Sequence, residues 1–387
     1  MLRRALDPGK PEVTVEILRL GDGEIGETLA RLLGDGGCAG VIVNTVSRAQ
    51  QLARMLAERF GTDAVRLLHS RFTATNRIEK ERALRGELGK PGPGVTRPLL
   101  RIVVGTQVIE QSRDIDFDVM ITDLCPMDLL LQRLGRLHRH ANRRPAALSA
   151  ARCYVLGAEE PEPEPGSAGV YGPYLLLRTR ALLPGRITLP TDISALVQAV
   201  YGGQTDLLPA LPEGYEAARA AWEAALAGKE RRAEAFRIYP PWKDRRATIV
   251  GWLDAPVTDA AGEAAVRDAA DSLEVTAVRR DADGALRLLS DGRALPRTGL
   301  DDAVAKRIAR ECLRLPPVLC RRDTIDDTIA ALEAGGTETA GWQASPWLKG
   351  SLFLLFNGDN EARLLGWRLH YDGFYGLTCE KEADMDG

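Results

Sequence analysis

The sequence is poor in the residues that build metal centres and disulfide frameworks. Only four histidines occur among 387 residues (His69, His138, His140 and His370), and the six cysteines include no C-x-x-C pair. That scarcity and spacing exclude a histidine-rich metal nuclease centre and argue against a zinc cluster, so no metal ligands are expected on this chain. Cysteines without a disulfide pattern fit a reducing cytoplasm. No run of about 18 uncharged apolar residues exists, which rules out a transmembrane span. Met1-Leu2-Arg3-Arg4 has no apolar stretch behind it, so no signal peptide is expected. A phosphate-binding loop of the form G-x-x-x-x-G-K-[ST] is also missing: Gly9-Lys10 and Gly89-Lys90 are each followed by proline. There is no D-E-x-H box and no histidine-aspartate nuclease motif.

What is present is an ordinary globular composition, 45% hydrophobic and 27% charged, with a net charge of −3. The balance is uneven. Residues 1–152 hold 24 basic and 18 acidic side chains, and the remainder holds 27 and 36, so any polyanion contact is expected mainly in the first part. The first ~155 residues alternate apolar strand-like runs with amphipathic stretches. Strands are expected at Val13 onward, at 40–44, 64–68, 99–104, 119–122 and 151–156. Helices are expected at 26–33, at 48–60 with Ser47 as N-cap, at 75–88 and at 127–137. This order implies an α/β fold, a parallel sheet flanked by helices. Glu159-Glu-Pro-Glu-Pro-Glu-Pro-Gly breaks the pattern as an extended tract. The expected domains are 1–158, the α/β domain; 159–245, a linker with helices; and 246–387, a small mixed α+β domain. Ile238-Tyr-Pro-Pro-Trp marks the second boundary. The aromatics of the last domain, Trp342 to Tyr375, read first as filler of a small core, and only secondarily as a stacking platform for bases.

Gly21-Asp-Gly23-Glu-Ile-Gly26 matches G-x-G-x-x-G, but the next strand ends in Asn44-Thr45 with no acid for a ribose, so a glycine-rich turn is favoured over a dinucleotide site. The strongest chemical signal is Gln132-Arg133-Leu-Gly135-Arg136-Leu-His138-Arg139-His140. Arg133, Arg136 and Arg139 are spaced to share one face of a helix end, and guanidinium forks suit phosphate oxygens and the charge of a transferring phosphoryl group. Gly135 would permit close backbone approach. Upstream, Asn44-Thr45, His69-Ser70-Arg71 and Gly105-Thr106-Gln107 each follow a strand. In an open parallel sheet such loops meet on the carboxyl rim, where ligands bind. Asp114 and Asp116 lie one residue apart, so only one of them can face a given ligand.

N-T-V-S-R-A-Q, H-S-R-F, G-T-Q-V-I-E-Q-S-x-D-I-D-F-D and L-L-L-Q-R-L-G-R-L-H-R-H occur in this order. They resemble motifs IV, IVa, V and VI in the second RecA-like domain of superfamily 2 helicases, and their wording resembles the type I CRISPR-associated helicase-nucleases over roughly residues 40–145. Ser345-Pro-Trp-Leu-Lys-Gly and Tyr371-Asp-Gly-Phe-Tyr-Gly-Leu are similar to the accessory C-terminal domain of that family. The resemblance implies the C-terminal half of an ATP- and Mg²⁺-dependent single-stranded DNA translocase and nuclease acting in CRISPR interference. Arg136 and Arg139 would be arginine fingers. Asp114, Gln132 and Arg133 would belong to the ATP site. Asn44, Thr45, His69, Arg71, Thr106 and Gln107 would lie along the DNA strand. The phosphate-binding loop, metal ligands and nuclease centre would sit on an N-terminal lobe and nuclease domain, and a Cascade surveillance complex would recruit the whole in the cytoplasm. The chain alone would be inactive, whether it is a fragment or a split subunit. Arg113 stands where the family usually has leucine. Three alternatives remain open: a docking or nucleic-acid-binding module without catalysis, half of another superfamily 2 helicase such as one acting on RNA, and, least favoured, a nicotinamide enzyme.

Overall fold

Short apolar runs that alternate with amphipathic segments assemble into one seven-stranded sheet. In the computed structural model, which describes residues 12–111, 114–204, 208, 210–235 and 272–382, six strands run parallel. They are β1 (Val13–Leu20), β2 (Gly37–Ile42), β3 (Val65–Leu68), β4 (Leu100–Gly105), β5 (Val119–Asp123) and β6 (Arg152–Leu156), in the order β3-β4-β2-β5-β6-β1. β2 and β5 are buried over their whole length, as parallel strands covered on both faces must be. α1 (Ile25–Leu32) and α2 (Val46–Phe60) cover one face, with Leu29, Leu32, Ala53 and Leu56 packed on Val41, Ile102 and Ile121. The helix starts follow side-chain caps. Thr45, and not the expected Ser47, accepts the Arg48 N–H at 3.3 Å, because Thr45 has the extended backbone that an N-cap needs. Thr73 caps α3 (Ala74–Leu88) in the same way.

Two sequence expectations shift. The sheet does not end at residue 158: β7 (Arg186–Leu189) joins it antiparallel to β1. α6 (Pro165–Tyr171), α7 (Pro173–Ala181) and α8 (Ile193–Tyr201) pack in the same compact unit, with Arg178 fully buried. The acidic, proline-rich tract ends in a helix cap, since Glu164 accepts the N–H groups of Gly166 and Ser167 at 2.8 and 2.6 Å. The dinucleotide-like turn is also closed: the Glu24 carboxylate takes the Gly21 N–H at 3.0 Å, where a pyrophosphate would have to sit. The boundary expected at Ile238 lies outside the described residues. α9 (Tyr215–Ala235) belongs to a second unit, Glu213–Ala270.

The C-terminal residues form a five-stranded sheet, β8 (Glu274–Arg280), β9 (Leu286–Leu288), β10 (Ala294–Leu295), β11 (Cys312–Arg314) and β12 (Phe353–Phe356). A meander of β13 (Glu361–Leu364), β14 (Trp367–Asp372) and β15 (Gly376–Lys381) follows. α10 (Asp302–Ala309) stops just before β11 takes over at Cys312. Trp342, Phe353, Phe356 and Tyr371 are buried, in line with the core reading of the aromatics.

The β14–β15 turn is pressed onto the first sheet at the end of β3. The Tyr375 carbonyl accepts Gln50 Nε2 at 2.8 Å and lies 2.9 Å from His69 Nε2; the Leu377 N–H donates to the Arg71 carbonyl at 2.9 Å. Tyr371 Oη meets Asn76 Oδ1 at 2.6 Å. Gly376 has φ +71°, and a Cβ there would sit 2.7 Å from the His69 ring and 2.8 Å from the Arg71 carbonyl, so only glycine permits this approach.

Burial at this contact pushes the His69 imidazole down to about 3, with Arg71 and Lys80 adding to the effect. The folded-state value lies below the unfolded one near 6.5, so the unfolded chain takes up the proton first. Stability is therefore lost as pH falls below about 6.5, at up to about 1.4 kcal/mol per unit. Denaturant titrations at pH 7 and 5.5 should show the parent chain losing about 1 kcal/mol more than H69Q. Equal losses would mean that the ring is not sealed as described.

Candidate functional site

The carboxyl ends of β3, β4 and β2 lie side by side and carry the three polar segments singled out in the sequence. Gly105 ends β4 where a Cβ would meet the Leu68 carbonyl at 2.3 Å, so glycine is required for the chain to turn into Thr106-Gln107. Behind this rim runs α5 (Met127–Leu134), which stops before Gly135 instead of reaching Leu137. The three arginines therefore do not share a helix face. Arg133 is in the last turn, and Arg136 and Arg139 follow in an irregular segment. Gly135 keeps helical dihedrals, and a Cβ there would approach only carbonyls of its own helix, so the close backbone approach expected of it is not found.

Arg133 is fully buried. Its Nε donates to Glu110 Oε1 at 2.7 Å, Nη1 to Thr122 Oγ1 at 2.7 Å, and Nη2 to Asn44 Oδ1 at 2.9 Å. Nη1 also reaches the Ile42 and Asp123 carbonyls, and Nη2 the Tyr171 hydroxyl, at 3.3–3.4 Å. One guanidinium thus ties the ends of β2 and β5 to α4 (Val108–Gln111) and α6. Burial pushes the Glu110 carboxyl upward while Arg133 pulls it back. Asp123, raised by burial and opposed by Arg48, accepts the Asn44 N–H at 2.9 Å and Arg48 Nε at 2.9 Å.

Arg136 and Arg139 are only partly buried. Arg136 Nη2 donates to the Glu110 carbonyl at 2.6 Å, while its Nε is buried without a partner among the described residues. Its guanidinium is pulled below the ordinary value by burial and by the neighbouring Arg139 charge. Arg139 Nη2 lies 3.2 Å from Asp114 Oδ1. Asp114 is exposed with φ +71°, whereas Asp116 is fully buried; the left-handed backbone at Asp114 parts two residues that an extended segment would put on one side. Gln132 is exposed at this rim. Two neighbouring guanidinium groups with a partnerless nitrogen fit an anion such as the phosphate end of a nucleotide.

Residues 35–142 match the family described as CRISPR-associated nuclease/helicase Cas3, C-terminal, and residues 267–377 match the Cas3 C-terminal domain. A CRISPR-associated nuclease/helicase Cas3 of Streptococcus thermophilus is 42% identical over 379 residues, 95% of this chain and 40% of that protein. The chain belongs to the Cas3 family, as its C-terminal half. It spans about two fifths of the length of that Cas3 relative. A T. fusca Cas3–ATP crystal structure is 26% identical with a TM-score of 0.77, over 97% of this chain and 43% of that one. A chain of a CRISPR RNA-guided surveillance complex, pre-nicking, is 25% identical with a TM-score of 0.67, over 97% and 45%.

Within this Cas3 half, three of the expected contact residues have other work. Arg133 cannot touch a nucleotide, because its donors are spent inside the fold. Asn44 is buried, giving Nδ2 to the Leu124 carbonyl and Ser167 Oγ at 2.8 Å each, so its side chain cannot contact a strand. His69 is sealed under the β14–β15 turn. Gln107 Nε2 donates to the Tyr171 hydroxyl at 2.7 Å and to the Asn44 carbonyl at 3.2 Å, which fixes it at the rim. Thr45 is spent partly as a cap, and Thr106 is nearly buried. Arg71 stands out: burial lowers its guanidinium from the ordinary value, and no carboxylate pairs with it among the described residues. Sequence reasoning missed Glu110, Asp123 and Tyr171. Glu110 lies inside the motif string, but nothing in the sequence marks Tyr171.

Proposed function

We propose that this chain is the second motor lobe and accessory domain of an ATP-dependent single-stranded DNA translocase and nuclease that degrades DNA in CRISPR interference. Arg136 and Arg139 are its arginine fingers, Asp114 and Gln132 flank the nucleotide, and Arg133 braces the rim from below. Arg71, Gln107 and Thr45 line the strand, and Thr106, buried like Asn44, supports them. A first lobe supplies the phosphate-binding loop and the Mg²⁺ ligands, a separate domain cuts the DNA, and a Cascade-type surveillance complex recruits the assembly in the cytoplasm. The ATP named with the T. fusca structure and the surveillance complex named with another support this reading. The motor lobe runs past the division expected at 158 to take in β7, and the division expected at 245 opens the accessory domain. The observation that carries the reading is the neighbouring pair Arg136–Arg139, partly exposed, with a partnerless buried Nε on Arg136.

Phosphoryl transfer in such motors needs a phosphate-binding loop and Mg²⁺ on one lobe and arginines on the other. The purified chain should therefore hydrolyse ATP at background rate. Joined to a first lobe, it should show Mg²⁺-dependent turnover stimulated by single strands. Robust turnover by this chain alone would overturn the proposal.

Strand binding gives a separate check. In the joined protein, Arg71→Ala should weaken single-strand binding about equally for all sequences and lower the salt slope by about 1, read by anisotropy at several salt concentrations. An unchanged slope would remove Arg71 from the strand path.

A further inference from the structure

Arg139 is held at three points: Nη1 donates to the Gly135 carbonyl at 3.2 Å, and two carboxylates, only one of them exposed, take the rest. Its guanidinium meets Asp114, which is open to solvent, while its backbone N–H donates to Asp116 Oδ1 at 2.7 Å, where the carboxylate has no exposure at all. Asp116 has no free capacity for a ligand. Both of its oxygens accept Arg144 Nη2 at 2.8 Å, Asn142 Nδ2 donates to Oδ2, and Arg97 Nη1 stands 3.8 Å away. The next residue continues the grip on the other arginine: the Phe117 N–H donates to the Arg136 carbonyl at 2.8 Å, and the Phe117 carbonyl accepts the His138 N–H at 3.0 Å. Residues 116–117 thus bind 136, 138 and 139 in series, through a bridge that pairs Phe117 with Leu137.

The path between these contacts is strained. His138 has φ +49°, a left-handed conformation unfavourable for a residue with a side chain. It redirects the chain so that the Arg139 N–H meets the buried carboxylate. A charge-assisted hydrogen bond in a dry site is strong enough to hold such a turn, and without it the segment would relax towards ordinary dihedrals and shift Arg139 from its place beside Arg136.

We propose that Asp116 is the positioning residue of Arg139, setting the finger's aim through its backbone and not through its charge. This rests on Arg139 being an arginine finger. The test uses the chain joined to its first lobe and a double-mutant cycle on strand-stimulated ATP hydrolysis. Asp116→Asn should lower kcat by about 10²-fold, the size of loss that a misplacement near 1 Å produces, with KM for ATP and strand affinity nearly unchanged. In an Arg139→Ala background the same substitution should change kcat less than about twofold, because the residue it aims is gone. Multiplying losses in the double variant, or a KM effect instead of a kcat effect, would show a merely structural role and overturn the inference. No loss from Arg139→Ala alone would instead overturn the finger assignment. Should Asp116→Asn fail to fold, Asn142→Ala removes one hydrogen bond to Asp116 and leaves the buried charge intact. It should give a smaller kcat loss that also vanishes without Arg139. A loss that persists there would contradict the proposal.

Discussion

Arg136→Ala, introduced into the protein that carries both motor lobes, should lower the rate of strand-stimulated ATP hydrolysis by a factor of about 10³ or more. Single-strand affinity should stay nearly intact. The reason lies in where this guanidinium stands. It is half-buried, so its charge is poorly screened, and its only hydrogen bond among the described residues goes to the Glu110 carbonyl. The buried Nε has no partner. Such a group is a preorganised donor for charge that develops on a transferring phosphoryl group, and this kind of stabilisation is often the largest single contribution to catalysis. Removing it leaves no cavity in the core and breaks no ion pair, so thermal stability should change little. Steady-state kinetics and strand titration on the same preparation measure both quantities. A variant that keeps its turnover but loses its strand would mean the roles of Arg136 and Arg71 are exchanged.

Arg133→Ala should fail differently. It removes the cation that neutralises Glu110 in a fully buried pair and leaves Asn44 Oδ1 and Thr122 Oγ1 without their donor. Breaking a buried pair from one side costs about 3–5 kcal/mol. Since domains of this kind are stable by only about 5–15 kcal/mol, urea denaturation should show a large shift of the midpoint. Arg133→Lys should not restore it, because a single ammonium cannot span three elements as a planar fork does. The double change Arg133→Met with Glu110→Gln should recover part of the loss, because the uncompensated carboxylate is gone. A loss below about 1 kcal/mol for Arg133→Ala would remove the brace from the account.

The contrast between these arginines shows what the sequence discloses. The spacing of Arg133, Arg136 and Arg139 marks a cationic group at the end of a helix, and short apolar runs followed by polar residues place three loops on one rim. Both are local signals. The fate of Arg133 is not local: its partners come from residues 42–44, 110, 122–123 and 171, and only the packed sheet brings them together. Asn44 is drawn into the fold for the same reason. His69 has the same polar-loop pattern as Arg71, yet its ring is claimed by a carbonyl 306 positions away, which no periodicity reports. The different fates of Asp114 and Asp116 are not legible either, since residues two apart in an extended segment share a side and only the positive φ at Asp114 parts them. β7 escaped notice because four residues on a sheet edge, behind a proline-rich tract, have too little alternation to read as a strand.

The central claim is that Arg136 and Arg139 mark half of a nucleotide pocket. It is tested most directly by a structure of the chain joined to its first lobe, bound to single-stranded DNA and ADP–aluminium fluoride. The account predicts guanidinium nitrogens of Arg136 and Arg139 within about 3 Å of the fluoride group that stands for the transferring phosphoryl, with Arg139 released from Asp114. Guanidinium groups still resting on the Glu110 carbonyl and on Asp114, with the fluoride group touched by neither, would contradict it.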